Sequence, residues 1–200
     1  LGKEKEMIKA VVFDMDGVLF DTERLVSVAW SQVAKEEAME RIDMVLKDCI
    51  GRSYEDTRLV FLKHYGETFD FEGFRTKAGK LFFKDIEDNG LPIKLGVHEI
   101  LAYLKEKGYK IGLASSTKKQ GVLSHLREAK IEEYFEVIVG GDMVKHSKPN
   151  PEIYQMACRL LGIEPSEAIC IEDSLNGIRS ASSAGLNVIM VPDLIEPTER

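Results

Sequence analysis

Five short runs of apolar, mostly β-branched residues constrain this chain more than any other feature: 10–13, 110–114, 137–139, 168–171 and 187–191. A strand with one wet face alternates apolar and polar residues, whereas an uninterrupted apolar run buries both faces. The runs therefore predict a parallel sheet covered by helices on each side. Between them lie helical patterns: Val97, Ile100, Leu101 and Leu104 fall at i, i+3, i+4, i+7, and Ile153, Met156, Ala157, Leu160 and Leu161 extend that period. Gly108, Gly162 and Gly185 stand where a left-handed cap would close such helices, each shortly before a run. Alternating strands and helices with short links imply right-handed crossovers, an α/β fold built on a Rossmann-like doubly wound parallel sheet.

The alternation breaks once. From about 22 to 91 the chain holds helical periodicity (Val26, Ala29, Trp30, Val33; later Phe82, Phe83, Ile86), with no convincing strand pattern between Phe13 and Lys110. The expected organisation is a core of residues 7–21 and 92–200 with an all-helical cap inserted over 22–91. An insert after the first strand stands above the carboxyl ends of the strands, where open α/β sheets bind ligands. The cap is thus expected to act as a lid with hinges at Asp21-Thr22 and Leu91-Pro92.

Charge narrows the function. With 27 basic and 34 acidic residues the net charge is −7, and no basic cluster is dense enough to hold a phosphate backbone, so no nucleic acid partner is expected. No apolar run approaches the roughly 20 residues of a membrane span, and the first nine residues lack a signal-peptide core, so no membrane partner and a cytoplasmic location are expected. Cys49, Cys158 and Cys170 are odd in number and widely spaced, which suits three buried small hydrophobes better than a metal or redox pair. His64, His98, His125 and His146 lack ligand spacing. Nothing in the sequence fixes the oligomeric state; a monomer is compatible with it.

The chemistry-bearing residues all follow apolar runs. Asp14-Met15-Asp16-Gly17 comes straight after the first. Two carboxylates two residues apart project alike from an extended backbone, and Gly17 permits a tight departure. An ionised carboxylate can attack phosphorus without a base to activate it, while its neighbour, in the field of the first, can hold a proton for the leaving group. A carboxylate meeting a phosphate dianion needs cations. Glu172-Asp173, ending another run, offers hard oxygen ligands for Mg²⁺ together with Asp14, and Lys148, in a Pro-stiffened loop, offers a fixed positive charge. Ser115 and Ser116, at the end of the 110–114 run, supply hydroxyl and amide donors for phosphoryl oxygens. Singly, each piece is an ordinary turn or helix cap; together, in order at strand ends, they describe a phosphoryl-transfer site. In the cap, Gly51-Arg52-Ser53 presents a loop arginine suited to a substrate hydroxyl or phosphate.

At these residues the chain resembles the haloacid dehalogenase superfamily, in its branch of helical-cap sugar-phosphate phosphatases and β-phosphoglucomutases. Asp14-Met15-Asp16-Gly17, Ser115, Lys148 and Glu172-Asp173 match its four motifs, and Asn176-Gly177-Ile178 its usual continuation. The resemblance runs from about Met7 to Asp193; relatives usually continue through another helix where this chain stops at Arg200. It implies Asp14 as the nucleophile that becomes an aspartyl-phosphate, Asp16 as general acid and then base, and Ser115 and Lys148 as the phosphoryl clamp. It further implies Mg²⁺ on Asp14, the backbone carbonyl of Asp16 and Asp173, with Glu172 near it through water. The implied function is Mg²⁺-dependent hydrolysis of a small phosphorylated metabolite, a sugar phosphate by preference. A phosphomutase and a non-catalytic phosphate-binding regulator are the alternatives. The intact motifs speak against the regulator, and the histidine that mutases of this branch carry in the cap corresponds here to Val26, which speaks against the mutase.

Overall fold

The computed structural model describes residues 7–49 and 54–193. The first strand, β1 (Ala10–Phe13), has all four residues buried and sits at the centre of a five-stranded parallel sheet. β2 (Lys110–Ala114) and β4 (Ala168–Glu172) flank it, in register from Ala10↔Lys110 and Ala10↔Ala168. β3 (Val137–Val139) and β5 (Asn187–Met190) form the edges, giving the order β3-β2-β1-β4-β5. The chain builds outward from β1 in one direction, then returns to add β4 and β5 on the other side. A topological switch therefore falls between β1 and β4, where the crevice at the strands' carboxyl ends opens.

Each strand period puts alternate residues on opposite faces. Ala10, Val12, Ala114, Val139, Ala168 and Cys170 join the apolar faces of α7 (Glu152–Leu161) and α8 (Leu175–Ala184) in one buried cluster. The intervening Val11, Phe13, Ile111 and Leu113 are also buried, on the face where α5 (Val97–Glu106) meets β2. α6 (Lys119–Glu128) connects β2 to β3. Gly162 and Gly185 close α7 and α8 in the left-handed conformation. At the β5 edge, burial on both faces fails: Asn187 and Ile189, on one face, are exposed, while Val188 and Met190, on the other, are half-buried.

The chain divides into two compact units, one taking it up to Phe20 and from Ile93 onward, the other Asp21–Pro92. The second unit holds four helices, α1 (Thr22–Glu36), α2 (Ile42–Cys49), α3 (Tyr54–Tyr65) and α4 (Phe71–Asn89). Its core is aromatic. Trp30 meets Phe61, Phe71 and Phe74 edge-on with ring centroids 5.3, 6.0 and 5.6 Å away, and Ala29, Val33, Val45 and Ala78 fill the spaces between. Asp70 caps α4 by accepting from the Gly73 amide at 2.9 Å.

Several sequence expectations are corrected. Ile100, Leu160 and Phe83 are 38%, 53% and 65% exposed, each at the flank of its helix's apolar stripe, because a helix against a sheet or one neighbouring helix buries a narrower arc than the pattern spans. Cys158 and Cys170 are buried, but Cys49, in the last turn of α2, is only half-buried. Gly51-Arg52-Ser53 lies outside the described residues. No helix among the described residues is long and apolar enough to cross a membrane.

Candidate active site

Asp14 leaves β1 at the switch point, its amide donating to the Ile171 carbonyl at 2.9 Å, so the two central strands place Asp14 beside Glu172 and Asp173. Gly17, three residues on, has φ +78° and lies so close to Asp173 that a Cβ there would stand 2.1 Å from its Oδ2. Only glycine permits both the left-handed turn and that approach. Carboxylate oxygens of Asp14, Glu172 and Asp173 lie within 4.8 Å of one another, and all three residues are buried.

Lys148 reaches this cluster from the loop between β3 and α7. Its Nζ donates to Asp14 Oδ1 and to Glu172 Oε1, each at 2.6 Å, and to the Ala114 carbonyl at 3.0 Å, tying the ends of β1, β2 and β4 together. The ammonium also lies 5.0 Å from the Tyr154 ring centroid. Glu172 has a full complement of donors: Oε1 also accepts from the Tyr154 hydroxyl at 2.7 Å, while Oε2 accepts from the amides of Asp173 and Ser174 and the Ser174 hydroxyl, each at 3.1 Å. The Ser174 hydroxyl in turn caps α8, accepting from the Gly177 amide at 3.0 Å.

These contacts set the charges. Burial works against the Lys148 ammonium, but Asp14 and Glu172 outweigh it and hold the lysine above its usual range. Burial likewise opposes the Glu172 carboxylate, yet Lys148 and the ring of donors bring it below its ordinary value. Burial pushes Asp14 well above the usual carboxylate range; Lys148 pulls it back, and Glu172 and Asp16 push it further. The negative charge around Asp14 thus exceeds what one lysine balances, and the donors are hard carboxylate oxygens. A small divalent cation such as Mg²⁺ fits that set.

Ser115 is fully buried at the end of β2, its amide donating to the Val139 carbonyl at 3.0 Å and its Oγ accepting from the Thr117 amide at 3.1 Å. Ser116 beside it is exposed. Asp16 is half-buried, and its Oδ2 accepts from the Thr117 hydroxyl at 3.2 Å. The structure therefore joins Asp14, Lys148, Glu172 and Asp173 in one cluster and links Asp16 to the Ser115–Thr117 loop.

Tyr154 escapes the sequence reading, and so does the pairing of Thr117, a member of the hydroxyl-rich element after the 110–114 run, with Asp16. Tyr154 is fully buried among aliphatic and small residues of α7, a place where a hydroxyl needs a partner, and that was the available signal. Thr117 carried none beyond its place in a hydroxyl-rich loop.

The fold and site are those of a recognisable class. The family model described as haloacid dehalogenase-like hydrolase matches residues 11–191, and the chain belongs to that family. It is 33% identical over 186 residues to the phosphorylated carbohydrates phosphatase of Thermotoga maritima, an alignment covering 91% of this chain and 84% of that one. Among solved structures it is similar to CbbY from Rhodobacter sphaeroides in complex with xylulose-(1,5)bisphosphate, with 28% identity, a TM-score of 0.72, and 93% and 87% of the two chains covered. It is also similar to β-phosphoglucomutase from Clostridium difficile, at 27% identity and a TM-score of 0.73, covering 94% and 86%.

Proposed function

We propose that this hydrolase is a Mg²⁺-dependent phosphatase of small phosphomonoesters, sugar phosphates by preference, working through an aspartyl-phosphate. The observation that carries the reading is the buried Asp14 carboxylate held by Lys148 at 2.6 Å beside Glu172 and Asp173. The Thermotoga relative's name and the sugar bisphosphate bound to CbbY support the substrate class.

In this mechanism one Asp14 carboxylate oxygen attacks phosphorus while Asp16 protonates the departing ester oxygen, and the P–O bond's electron pair leaves with that oxygen. Asp16, now a carboxylate, then takes a proton from the water that attacks the aspartyl-phosphate and regenerates Asp14. Lys148 keeps Asp14 oriented and, with Ser115 and Ser116, holds the phosphoryl oxygens. Asp14, Asp173 and the backbone carbonyl of Asp16 would hold Mg²⁺. Because both Glu172 oxygens are engaged by five donors, Glu172 would act on the ion through water and on Lys148 directly. When bound, the ion neutralises charge on the phosphoryl oxygens and on Asp14. Residues 22–91 would serve as the cap, and a cap with Val26 where the mutases place histidine offers no group to favour a sugar hydroxyl over water.

The test is phosphate release from a panel of phosphorylated metabolites with and without Mg²⁺, for the native chain and Asp14→Asn. Release that requires Mg²⁺ and falls more than a thousandfold in the variant is expected. Turnover of Asp14→Asn within tenfold of native would refute the covalent step. Stoichiometric conversion of β-glucose 1-phosphate to glucose 6-phosphate in the presence of glucose 1,6-bisphosphate, without phosphate release, would promote the mutase.

A further inference from the structure

The loop after β2 is built against glycine backbone. A Cβ on Gly141 would stand 2.1 Å from the Ser116 carbonyl oxygen, and one on Gly140 2.3 Å from the Lys119 amide nitrogen. The two loops are also stitched together: the Gly141 amide donates to the Thr117 carbonyl at 2.9 Å, and the Lys119 amide to Asp142 Oδ1 at 2.8 Å. Thr117 is thereby fixed on both sides, since its own amide is spent on Ser115 Oγ at 3.1 Å. From this fixed backbone its hydroxyl reaches Asp16 Oδ2 at 3.2 Å, across 101 residues of sequence.

We infer that Thr117 is the positioning residue of the general acid: braced by Gly140, Gly141 and Asp142, it holds the Asp16 carboxyl group in the orientation that delivers the proton. This rests on Asp16 being the acid, as proposed above. Asp16 stands on a tight turn after β1, and a carboxyl group there can rotate about its last torsion, which is broad for aspartate. A donor on Oδ2 removes that freedom. The proton passes from the Asp16 carboxyl group to the ester oxygen as the P–O bond breaks, the bond's electron pair staying with that oxygen. Thr117 touches no reacting atom; it acts through Asp16, and a loss of alignment shows as lost turnover.

The experiment compares an alkyl phosphate, whose alkoxide must be protonated to leave, with p-nitrophenyl phosphate, whose phenolate leaves without a proton. Thr117→Val keeps the branched shape and removes the hydroxyl; Thr117→Ser keeps the hydroxyl; Thr117→Ala guards against a misfit of the valine. In Thr117→Val and Thr117→Ala, kcat/KM for the alkyl phosphate, which covers only the steps up to departure of the alcohol, is expected to fall about 5- to 20-fold, the scale of one lost hydrogen bond. The loss on p-nitrophenyl phosphate should be clearly smaller, the thermal midpoint should hold, and Thr117→Ser should regain most of the alkyl rate. Asp16→Asn runs alongside, with an expected alkyl loss of order 10²–10⁴ that shrinks on the good leaving group. Equal losses on both substrates in Thr117→Val and Thr117→Ala, while Asp16→Asn discriminates, would overturn the inference and leave the acid assignment standing. No discrimination in Asp16→Asn would sink the acid assignment and the inference with it.

Discussion

Replacing Glu172 with glutamine changes one atom and one charge, and the structure says how much that should cost. The side chain is fully buried, with its Oε1 on Lys148 Nζ at 2.6 Å and its carboxylate within 4.8 Å of that of Asp14. Removing the charge of one member of a buried ion pair costs about 3–5 kcal/mol; repulsion from Asp14 and Asp173, both within 4.8 Å, is relieved and Lys148 keeps Asp14, which places the change at the lower end, about 3 kcal/mol. The new amide must also face donors whichever way it turns. On one side are Lys148 and Tyr154; on the other are the Asp173 and Ser174 amides, neither of which can accept. At least one further hydrogen bond is lost, about 1 kcal/mol. The sum is about 4 kcal/mol, which for a chain of this size lowers the melting temperature by roughly 8–16 °C. The assay is urea and thermal unfolding in EDTA, so that a lost metal cannot contribute to the difference. Ser174→Ala, which removes one donor to Glu172 and the α8 cap, should cost about 1–2 kcal/mol. A Glu172→Gln protein within 1 kcal/mol of the parent would refute the view that Glu172 is held chiefly by Lys148.

Two further outcomes follow from the geometry. Gly17→Ala forces a side chain into a left-handed position 2.1 Å from Asp173 Oδ2; displacement of that carboxylate should weaken Mg²⁺ binding at least tenfold by titration calorimetry, and unchanged affinity would contradict the packing described. Burial pushes the Cys158 thiol from 9.0 up to about 11 and raises Cys170 as well. The unfolded chain therefore loses these protons first, so stability is intact below about pH 9 and should fall as pH rises towards 11. The urea midpoint followed over that range should fall less steeply in Cys158→Ala, and an identical slope would show that other groups control the alkaline limb.

The sheet was legible because a parallel strand covered on both faces has to be an apolar run. The runs 10–13, 110–114 and 137–139 coincide with β1, β2 and β3, and the other two differ from β4 and β5 by one residue at an end. Asp14 and Asp173 could be singled out because each stands at the end of an apolar run, and Lys148 because two prolines stiffen its loop ahead of the Ile153 helix. What stayed hidden was whatever depends on segments distant in sequence meeting in space. Tyr154 reads as one more member of the Ile153 stripe until the end of β4 brings Glu172 beneath its hydroxyl. Thr117 reads as loop until the glycines after β3 press its backbone towards Asp16. Ile100, Leu160 and Phe83 mislead for the opposite reason: periodicity reports which residues are apolar, and the width of the contact decides which are covered.

The junction of the helical unit with the rest of the chain has a consequence for how such proteins change over time. The Asp21 amide donates to the Pro92 carbonyl at 2.9 Å, and Phe20 pairs with Ile93 in an antiparallel bridge, so the chain departs and returns at neighbouring points. Seventy-odd residues thus hang from a gap that a tight turn could close, with β1 before it and α5 after it undisturbed. The register of β1 with β2 and β4 lies wholly outside that segment, so its length or sequence could change without touching the strand pairs that place Asp14 beside Glu172 and Asp173.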